Sequence, residues 1–246
     1  QLVQLLIDYA MIQPWQKILD LATGTGLVAI EAAKKVGEYG FVTGVDMADL
    51  MLAKAQEKAK KLNLNNLEFV QADIETITLP SDNFDVIFCC AAIPLLDDID
   101  KVFSNSFGSL KHGGKLGFNC WLETSFIEGV ILNKIASKYG IHFPHWHQKI
   151  GAFEEIYRRL ENQGFTEIEI NRDQLGSYVE VESVKNKWEM MINFPVSQNN
   201  LFPFQTLSDE QLTQAKLEYY QELEALETSQ GIWNDITTLT VIAYKE

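Results

Sequence analysis

The stretch KILDLATGTGLVAIEA, residues 17–32, decides the fold of this chain. It begins as an apolar run, passes through a turn of small residues that contains Gly24 and Gly26, and ends with apolar residues at helical spacing. That pattern predicts a strand, a tight loop and a helix. Glycine in the loop lets a ligand lie against bare backbone, and the helix directs its unpaired N–H groups at that ligand. The stretch therefore predicts a nucleotide-type cofactor site.

Two acidic residues near this loop bear on which cofactor it binds. Asp46 follows Gly26 by 20 residues, where dinucleotide sites have a ribose-binding acid, and the loop together with Ala29 also fits the dinucleotide fingerprint. Asp20, at the end of the first predicted strand, favours another cofactor. A carboxylate just before the glycines would repel a pyrophosphate but would suit the ammonium group of an amino-acid cofactor.

Four motifs in order resemble the class I S-adenosylmethionine-dependent methyltransferases, and within them the small-molecule enzymes of ubiquinone and menaquinone biosynthesis. The motifs are LDLATGTG (19–26), GVDMADLMLAKA (44–55), FVQADIETITLPSDNFDVIFC (69–89) and LKHGGKLGF (110–118). Ala22 stands where these enzymes usually have glycine, and alanine is a frequent substitute there. The resemblance implies S-adenosylmethionine as the cofactor.

The resemblance also implies roles for single residues. Asp46 would accept hydrogen bonds from both ribose hydroxyls, Asp73 would face the adenine amino group, and the N–H of Ile74 would meet a ring nitrogen. A helix N-cap and a turn aspartate are the plain structural alternatives for the two acids. Met47 and Met51 either line the adenine pocket or fill the core. The predicted cofactor-binding residues are Asp20, Ala22, Thr23, Gly24, Gly26, Asp46, Met47, Met51, Asp73, Ile74 and Cys90.

The order of predicted strands and helices indicates an α/β fold with a doubly wound, mostly parallel sheet of seven strands. Alternating strand and helix units continue to residue 121, which is typical of a parallel sheet. Strand six (166–171) and the last strand (237–244) lack a normal crossover helix between them, which predicts an antiparallel pairing at the sheet edge. A reversed last strand is typical of the resembled family and foreign to dinucleotide-binding domains.

Two insertions are predicted to form a mainly helical substrate cap on this single domain. The core covers about 13–121, 151–172 and 237–246, and the insertions cover about 122–150 and 173–236. Residues 180–192 and 207–227 have helical patterns, the second with a capping box at Ser208 and Gln211. Loops after the strand ends of such sheets usually carry substrate contacts, so we expect the cap to close over the acceptor.

A histidine cluster in the first insertion supplies candidates for catalysis. Imidazole takes up a proton near neutral pH, so His145 and His147 are the predicted general base, and the neighbouring His142 is a substrate-binding candidate. Metal binding is a weaker interpretation because the cluster lacks a carboxylate or cysteine partner, and no metal is expected. The third interpretation is a packed, hydrogen-bonded loop in which the histidines have no catalytic role.

Three tryptophans are candidates for an apolar or aromatic acceptor pocket, although core packing is an equal alternative for each. They are Trp121, Trp146 and Trp188.

Composition and charge narrow the class of partner. The 246 residues are 46% apolar and 22% charged, as in ordinary globular proteins. The net charge of −14 disfavours nucleic acid as a substrate. The three cysteines show no metal-ligand spacing, and no signal peptide or membrane-spanning run is recognisable. We therefore expect a cytoplasmic protein with a small-molecule partner, either a monomer or a homodimer.

Together these features predict a small-molecule methyltransferase. A sulfonium methyl is already activated, so the main work is to hold nucleophile, carbon and sulfur in line. The acceptor is predicted to be apolar or aromatic and to be methylated on a hydroxyl or carboxyl oxygen. N- or C-methylation of a small molecule or a peptide-derived natural product is the alternative. A nicotinamide-dependent reductase and a non-catalytic cofactor-binding protein are two further hypotheses.

Overall fold

The computed structural model describes residues 1–141, 146–193 and 203–246. Its helices are α1 (Leu2–Ala10), α2 (Leu27–Val36), α3 (Asp49–Lys61), α4 (Ile99–Ser109), α5 (Ile127–Lys138), α6 (Phe153–Asn162), α7 (Val181–Lys185), α8 (Trp188–Ile192) and α9 (Asp209–Glu224). Its strands are β1 (Lys17–Leu21), β2 (Phe41–Asp46), β3 (Leu67–Gln71), β4 (Phe84–Cys89), β5 (Leu110–Trp121), β6 (Thr166–Gln174), β7 (Ser177–Val179), β8 (Ile232–Asn234) and β9 (Thr237–Tyr244). None of the helices in these ranges is long and apolar enough to cross a membrane.

The main sheet has seven strands in the order β3-β2-β1-β4-β5-β9-β6. The strands from β3 to β5 pair in parallel. The reversed direction of β9 is visible where it meets the start of β5: the Gly113 N–H donates to the Lys245 carbonyl (2.7 Å), and the Lys245 N–H donates to the Gly114 carbonyl (2.9 Å). The predicted fold class, with its antiparallel last strand, is confirmed.

The chain divides into two compact units. The first unit comprises Gln1–Cys120, Ile150–Arg172 and Leu239–Glu246, and the second unit comprises Trp121–Lys149 and Asp173–Thr238. In the first unit, α1 and α2 pack on β1, β2 and β4 through a continuous apolar cluster. In the second unit, α5, α7, α8 and α9 share a separate apolar cluster. Each unit therefore has a hydrophobic core of its own.

The second unit differs from its predicted elements in three places. The helix expected over 180–192 is two short helices, α7 and α8, and Lys187 at the break donates to the Glu128 carboxylate on α5 at 2.5 Å. The helix α5 and the small β7–β8 sheet were not predicted. The capping box at the start of α9 is confirmed, because Ser208 and Gln211 exchange both hydrogen bonds.

Candidate functional site

The predicted cofactor residues of the first unit follow four neighbouring parallel strands at the same edge of the sheet. Asp20 is the next-to-last residue of β1, and Asp46 is the last residue of β2. Asp73 comes two residues after β3, and Cys90 comes directly after β4. Because the carboxyl ends of parallel strands meet at one edge, the fold brings these residues together, as in other open α/β sheets that bind ligands there.

The glycine turn between β1 and α2 is held by backbone geometry. Gly24 and Gly26 have φ angles of 55° and 77°, in the left-handed region that glycine adopts readily. A Cβ on Gly26 would lie 2.9 Å from the Ala55 Cβ and 3.0 Å from the Phe69 ring, whereas a Cβ on Gly24 would have no atom of the described residues within 4 Å. Gly26 is therefore needed for packing, while Gly24 leaves the outer side of the turn open.

Ala22 also has a left-handed backbone, with φ at 53°. An L-residue in this conformation is strained by about 1–2 kcal/mol. That strain is the physical reason why glycine is usual at this position in the resembled enzymes, and alanine, with the smallest side chain after glycine, still occupies it here.

Asp20 is buried at 1% exposure and uses only one of its carboxylate oxygens. Its Oδ2 accepts from the Thr23 hydroxyl at 2.5 Å and from the Ala29 N–H at 3.1 Å. The N-cap of α2 is Gly26, which has no side chain, so the Asp20 carboxylate caps this helix from the neighbouring strand. Its Oδ1 is buried and has no hydrogen-bond partner among the described residues.

The environment of Asp20 opposes its negative charge. Burial raises the pKa of its carboxyl to about 7, and the nearby Asp46 adds to the rise. The hydrogen bonds from Thr23 and Ala29 lower the pKa but do not offset burial. A cation beside Oδ1 would favour the ionised form, so the chemistry of this carboxyl suits an ammonium group.

Asp46 is tied to the glycine turn by its carboxylate. Its Oδ2 accepts from the Gly24 N–H at 2.7 Å, and its Oδ1 accepts from the Ala48 N–H at 2.9 Å. The N-cap of α3 is Ala48, so Asp46 is not that cap. An ionised carboxylate has about four acceptor positions, which leaves acceptor capacity for ligand hydroxyls.

The two methionines after β2 do not fill the core. Met47 is 70% exposed and Met51 is 43% exposed. The core-filling interpretation is therefore wrong for both. Their exposed thioether side chains follow the strand that ends in Asp46, and contact with a ligand ring remains their predicted role.

Asp73 has a structural role in the turn after β3. Its Oδ1 accepts from the Glu75 N–H at 2.9 Å, and its carbonyl accepts from the Ile77 N–H at 2.8 Å. The structure therefore shows Asp73 as a turn-forming residue, which was the alternative to its adenine-binding role. Ile74 is buried, with 7% exposure. Contacts of Asp73 and Ile74 with adenine stay predictions.

Cys90 is a neutral, half-buried thiol. Its Sγ donates to the Asn119 Oδ1 at 3.2 Å, and the Asn119 amide donates to the Thr240 hydroxyl at 2.8 Å. Burial, with a smaller effect of the Asp20 carboxyl, raises the pKa of Cys90 to about 12. A thiol with so high a pKa is not a nucleophile at neutral pH, so its contribution here is shape and hydrogen bonding.

Gly44 lies beside the predicted cofactor residues and was not a predicted site residue. It lies opposite Asp20 in the β1–β2 pairing. A Cβ there would lie 2.8 Å from the Phe69 ring and 3.0 Å from the Thr23 hydroxyl oxygen. Its bare backbone makes room for the hydroxyl that holds Asp20. A glycine inside a strand often marks such a close approach, and that signal was available in the sequence.

An aromatic cluster in the second unit contains two of the predicted acceptor-side residues. The His147 ring stacks on Phe126 with centroids 5.1 Å apart, and it meets the edge of Trp121 at 5.2 Å. Trp121 and Phe126 are 5.6 Å apart. Phe126 was not predicted, and its φ of 66° is strained for an L-residue. The structure thus brings together Trp121 and His147 and adds Phe126.

Among the other predicted acceptor-side residues, the structure describes the side chain of Trp188. Trp188 is 1% exposed and packs on Tyr219 at 5.2 Å, in the core of the second unit. The structure therefore shows Trp188 as a core residue and not as part of an acceptor pocket in this cluster. His142, His145 and the side chain of Trp146 lie outside the described residues. In the part of the chain that the structure describes, no group of three or more His, Cys, Asp or Glu residues could hold a metal ion.

Comparison with known families decides what this architecture is. A family model described as a methyltransferase domain matches residues 12–235. The chain belongs to this methyltransferase family. The resemblance drawn from the four motifs to class I S-adenosylmethionine-dependent methyltransferases is thereby confirmed, and with it the enzyme class and the cofactor at the level of the family.

Curated relatives of this methyltransferase are named for quinone biosynthesis. It is 34% identical over 156 residues to the ubiquinone/menaquinone biosynthesis C-methyltransferase of Edwardsiella ictaluri, a match that covers 63% of this chain and 61% of the relative. A relative of the same name from Cronobacter sakazakii is 34% identical over 158 residues, with the same shares. The chain therefore spans about three fifths of the length of the curated relatives that it matches.

Solved structures share the fold of this methyltransferase over its length. The YcgJ protein of Bacillus subtilis is 17% identical with a TM-score of 0.65, and the match covers 99% of this chain and 97% of that one. A Haemonchus contortus phosphoethanolamine N-methyltransferase in complex with S-adenosyl-L-methionine is 19% identical with a TM-score of 0.61, covering 99% of this chain and 52% of that one. At these identities the likeness concerns the fold alone.

Proposed function

We propose that the protein transfers the methyl group of S-adenosylmethionine to a small aromatic or apolar molecule that carries a hydroxyl group. The observation that carries this proposal is the cofactor edge of the first unit. There, a glycine turn open on its outer side lies between two strand-end carboxylates, and the buried one, Asp20, has an oxygen without a hydrogen-bond partner among the described residues.

The residues at this edge fit the parts of the cofactor. The Oδ1 of Asp20 suits the ammonium group of the methionine portion, and the remaining acceptor positions of Asp46 suit two ribose hydroxyls. Exposed Met47 offers an apolar surface for the adenine ring. When bound, S-adenosylmethionine supplies a methyl group activated by the sulfonium charge. What the chain supplies is orientation, which can lower a barrier by roughly 7–11 kcal/mol.

The acceptor is proposed to bind the second unit. Trp121, Phe126 and His147 form an aromatic cluster directly after β5. Aromatic rings favour an aromatic or apolar ligand, and imidazole accepts a proton from a ligand hydroxyl. His147 is therefore the proposed proton acceptor among the described residues. The net charge of −14 supports a small molecule over nucleic acid, and a cytoplasmic location remains a prediction.

The accepting atom is proposed to be a ring carbon next to the hydroxyl. The curated relatives are named C-methyltransferases, which favours carbon over the oxygen expected from the sequence. Removal of the hydroxyl proton raises electron density on the oxygen and on the neighbouring ring carbons, so one base serves either outcome. In the carbon case the ring carbon bonds to the methyl group, and the electron pair of the broken carbon–sulfur bond stays on sulfur. The ring carbon then loses its own proton to solvent, and the oxygen regains the hydroxyl proton from His147, which restores the aromatic ring.

Product analysis tests this proposal. The protein is incubated with S-adenosylmethionine that carries a deuterated methyl group and with a panel of hydroxylated aromatic compounds. We expect one trideuteromethyl group per product, and nuclear magnetic resonance to place it on a ring carbon. A methyl ether would return the accepting atom to oxygen. No labelled product from any hydroxylated aromatic or apolar compound would contradict the proposed reaction.

A further inference from the structure

The carboxyl group of Asp20 is used unevenly by the protein. Its Oδ2 accepts two hydrogen bonds, from the Thr23 hydroxyl and the Ala29 N–H, whereas its Oδ1 is buried and accepts none from the described residues. Such an oxygen of a buried carboxylate is unfavourable, because burial weakens the solvation of its charge and no described residue donates to it. The same oxygen is far less unfavourable when it carries a proton.

The groups that face Asp20 do not stabilise its negative charge either. Asp46 on β2 is an acid. Cys89 at the end of β4 and Cys90 directly after it are thiols whose own pKa values are raised by burial and by the Asp20 carboxyl. Among the causes acting on Asp20, only the hydrogen bonds from Thr23 and Ala29 favour the ionised form. Burial outweighs them, and the pKa of Asp20 is about 7.

A ligand ammonium group would reverse this balance. An opposite charge within hydrogen-bond distance favours the ionised carboxyl strongly, and a charge-assisted pair satisfies the unpaired Oδ1. We infer that Asp20 is a proton switch for the cofactor: it loses its proton as it accepts the ammonium group, and cofactor affinity falls as the solution becomes acidic. This inference rests on the proposed function, since it takes the ligand to be an amino-acid-bearing nucleoside.

The sign of the effect follows from the two states of the carboxyl. The free protein holds the proton below about pH 7, where binding must break the O–H bond of Asp20 and release the proton to the buffer. Each pH unit below that point then weakens binding by about tenfold. Above it, Asp20 is already ionised in the free protein, and binding becomes independent of pH.

Calorimetry with S-adenosylhomocysteine as the probe tests the inference on the full chain. Titrations run from pH 5.5 to 8.5, each in two buffers with different heats of ionisation, so that the number of protons released is measured directly. We expect close to one proton released at the acid end and almost none at the alkaline end, with affinity falling about tenfold per pH unit below neutrality. The matched probe is 5′-methylthioadenosine, which lacks the amino acid and is expected to bind without pH dependence.

Two variants separate Asp20 from other titrating groups. Asp20→Asn should bind S-adenosylhomocysteine weakly and with no pH dependence. Thr23→Val keeps the shape of the side chain but removes a hydrogen bond that favours the ionised carboxyl, so the midpoint of the pH profile should move to higher pH. A purely structural role of Asp20 would not move that midpoint.

The possible failures are distinguishable. If S-adenosylhomocysteine binds with equal affinity across the pH range and releases no proton, the inference is wrong and the proposed cofactor stands. An equal slope with 5′-methylthioadenosine, or an unmoved midpoint in Thr23→Val, would likewise overturn it. If S-adenosylhomocysteine does not bind at any pH, the proposed function itself fails.

Discussion

The two units of this protein present their candidate functional groups in opposite ways. The first unit relies on backbone N–H groups, bare glycines and short carboxylates at strand ends, and most of these lie within a few residues of one another in sequence. The second unit relies on aromatic side chains from separate segments. Trp121 and Phe126 belong to one segment of the chain, and His147 belongs to another. Backbone groups and short side chains within one segment leave a recognisable motif in the sequence, whereas side chains gathered from separate segments do not.

The largest expected effect separates the two glycines of the turn in the first unit. Gly26→Ala forces a Cβ against Ala55 and Phe69 at a left-handed φ, so we expect the free energy of unfolding to fall by about 2–4 kcal/mol. Gly24→Ala meets no atom and should cost only about 1–2 kcal/mol.

Ligand binding should rank the two glycine variants in the opposite order, with Gly24→Ala more strongly affected than Gly26→Ala. The Cβ at Gly24 points to the open side of the turn, so Gly24→Ala should weaken S-adenosylhomocysteine in calorimetry despite its milder effect on denaturant unfolding. Equal losses of stability in Gly26→Ala and Gly24→Ala would contradict the packing role assigned to Gly26.

The next largest effect is expected on kcat, when His147 of the second unit is replaced. His147→Phe keeps a ring stacked on Phe126 but removes the proton acceptor, so kcat should fall about a hundredfold or more while cofactor affinity stays unchanged. The matched control is His112→Phe, at an exposed histidine near the start of β5. A near wild-type kcat in His147→Phe from pH 5 to 9 would return His147 to a packing role.

A smaller effect is expected at the ribose acid of the first unit. Asp46→Ala removes the proposed bonds to both ribose hydroxyls and the bond from the Gly24 N–H, so S-adenosylhomocysteine should bind at least about tenfold more weakly. Glu38→Ala removes an exposed carboxylate between α2 and β2, at the opposite end of β2 from Asp46, and serves as the control of equal charge. Unchanged affinity in Asp46→Ala, with circular dichroism intact, would reduce Asp46 to a turn residue.

The smallest effect is expected at Ala22. Because its φ is 53°, Ala22→Gly relieves strain of about 1–2 kcal/mol, of which the greater freedom of glycine in the unfolded chain offsets a part. Urea unfolding should show a gain of about 0.5–1 kcal/mol at most. A clear loss of stability would mean that the Ala22 methyl group packs usefully in the turn.

The same contrast explains how much the sequence could predict. Strand periodicity located β9 at its observed bounds, because a buried strand leaves a local apolar signal. The contact between Gly44 and Thr23 depends on the register of β1 and β2, which no local pattern contains. Phe126 is held by its N–H donating to the Asp235 carbonyl at 2.8 Å, a contact between residues far apart in the chain.

The short elements of the second unit were missed for a related reason. The strands β7 and β8 have three residues each, too few for an alternating pattern to show. The helix α5 buries only part of one face, and its N-cap is the left-handed Phe126, which lacks a capping side chain. Helices without such start signals are difficult to place from sequence alone.

Hydrogen exchange of the full chain, with and without S-adenosylhomocysteine and with NAD as the comparison ligand, tests where the cofactor binds. We expect S-adenosylhomocysteine to slow exchange in the glycine turn (22–26) and in the segments after β2 and β3 (47–51 and 72–76), and NAD to leave it unchanged. Unchanged exchange in these three segments with S-adenosylhomocysteine, or an equal slowing by NAD, would contradict the assignment of the cofactor site to the first unit.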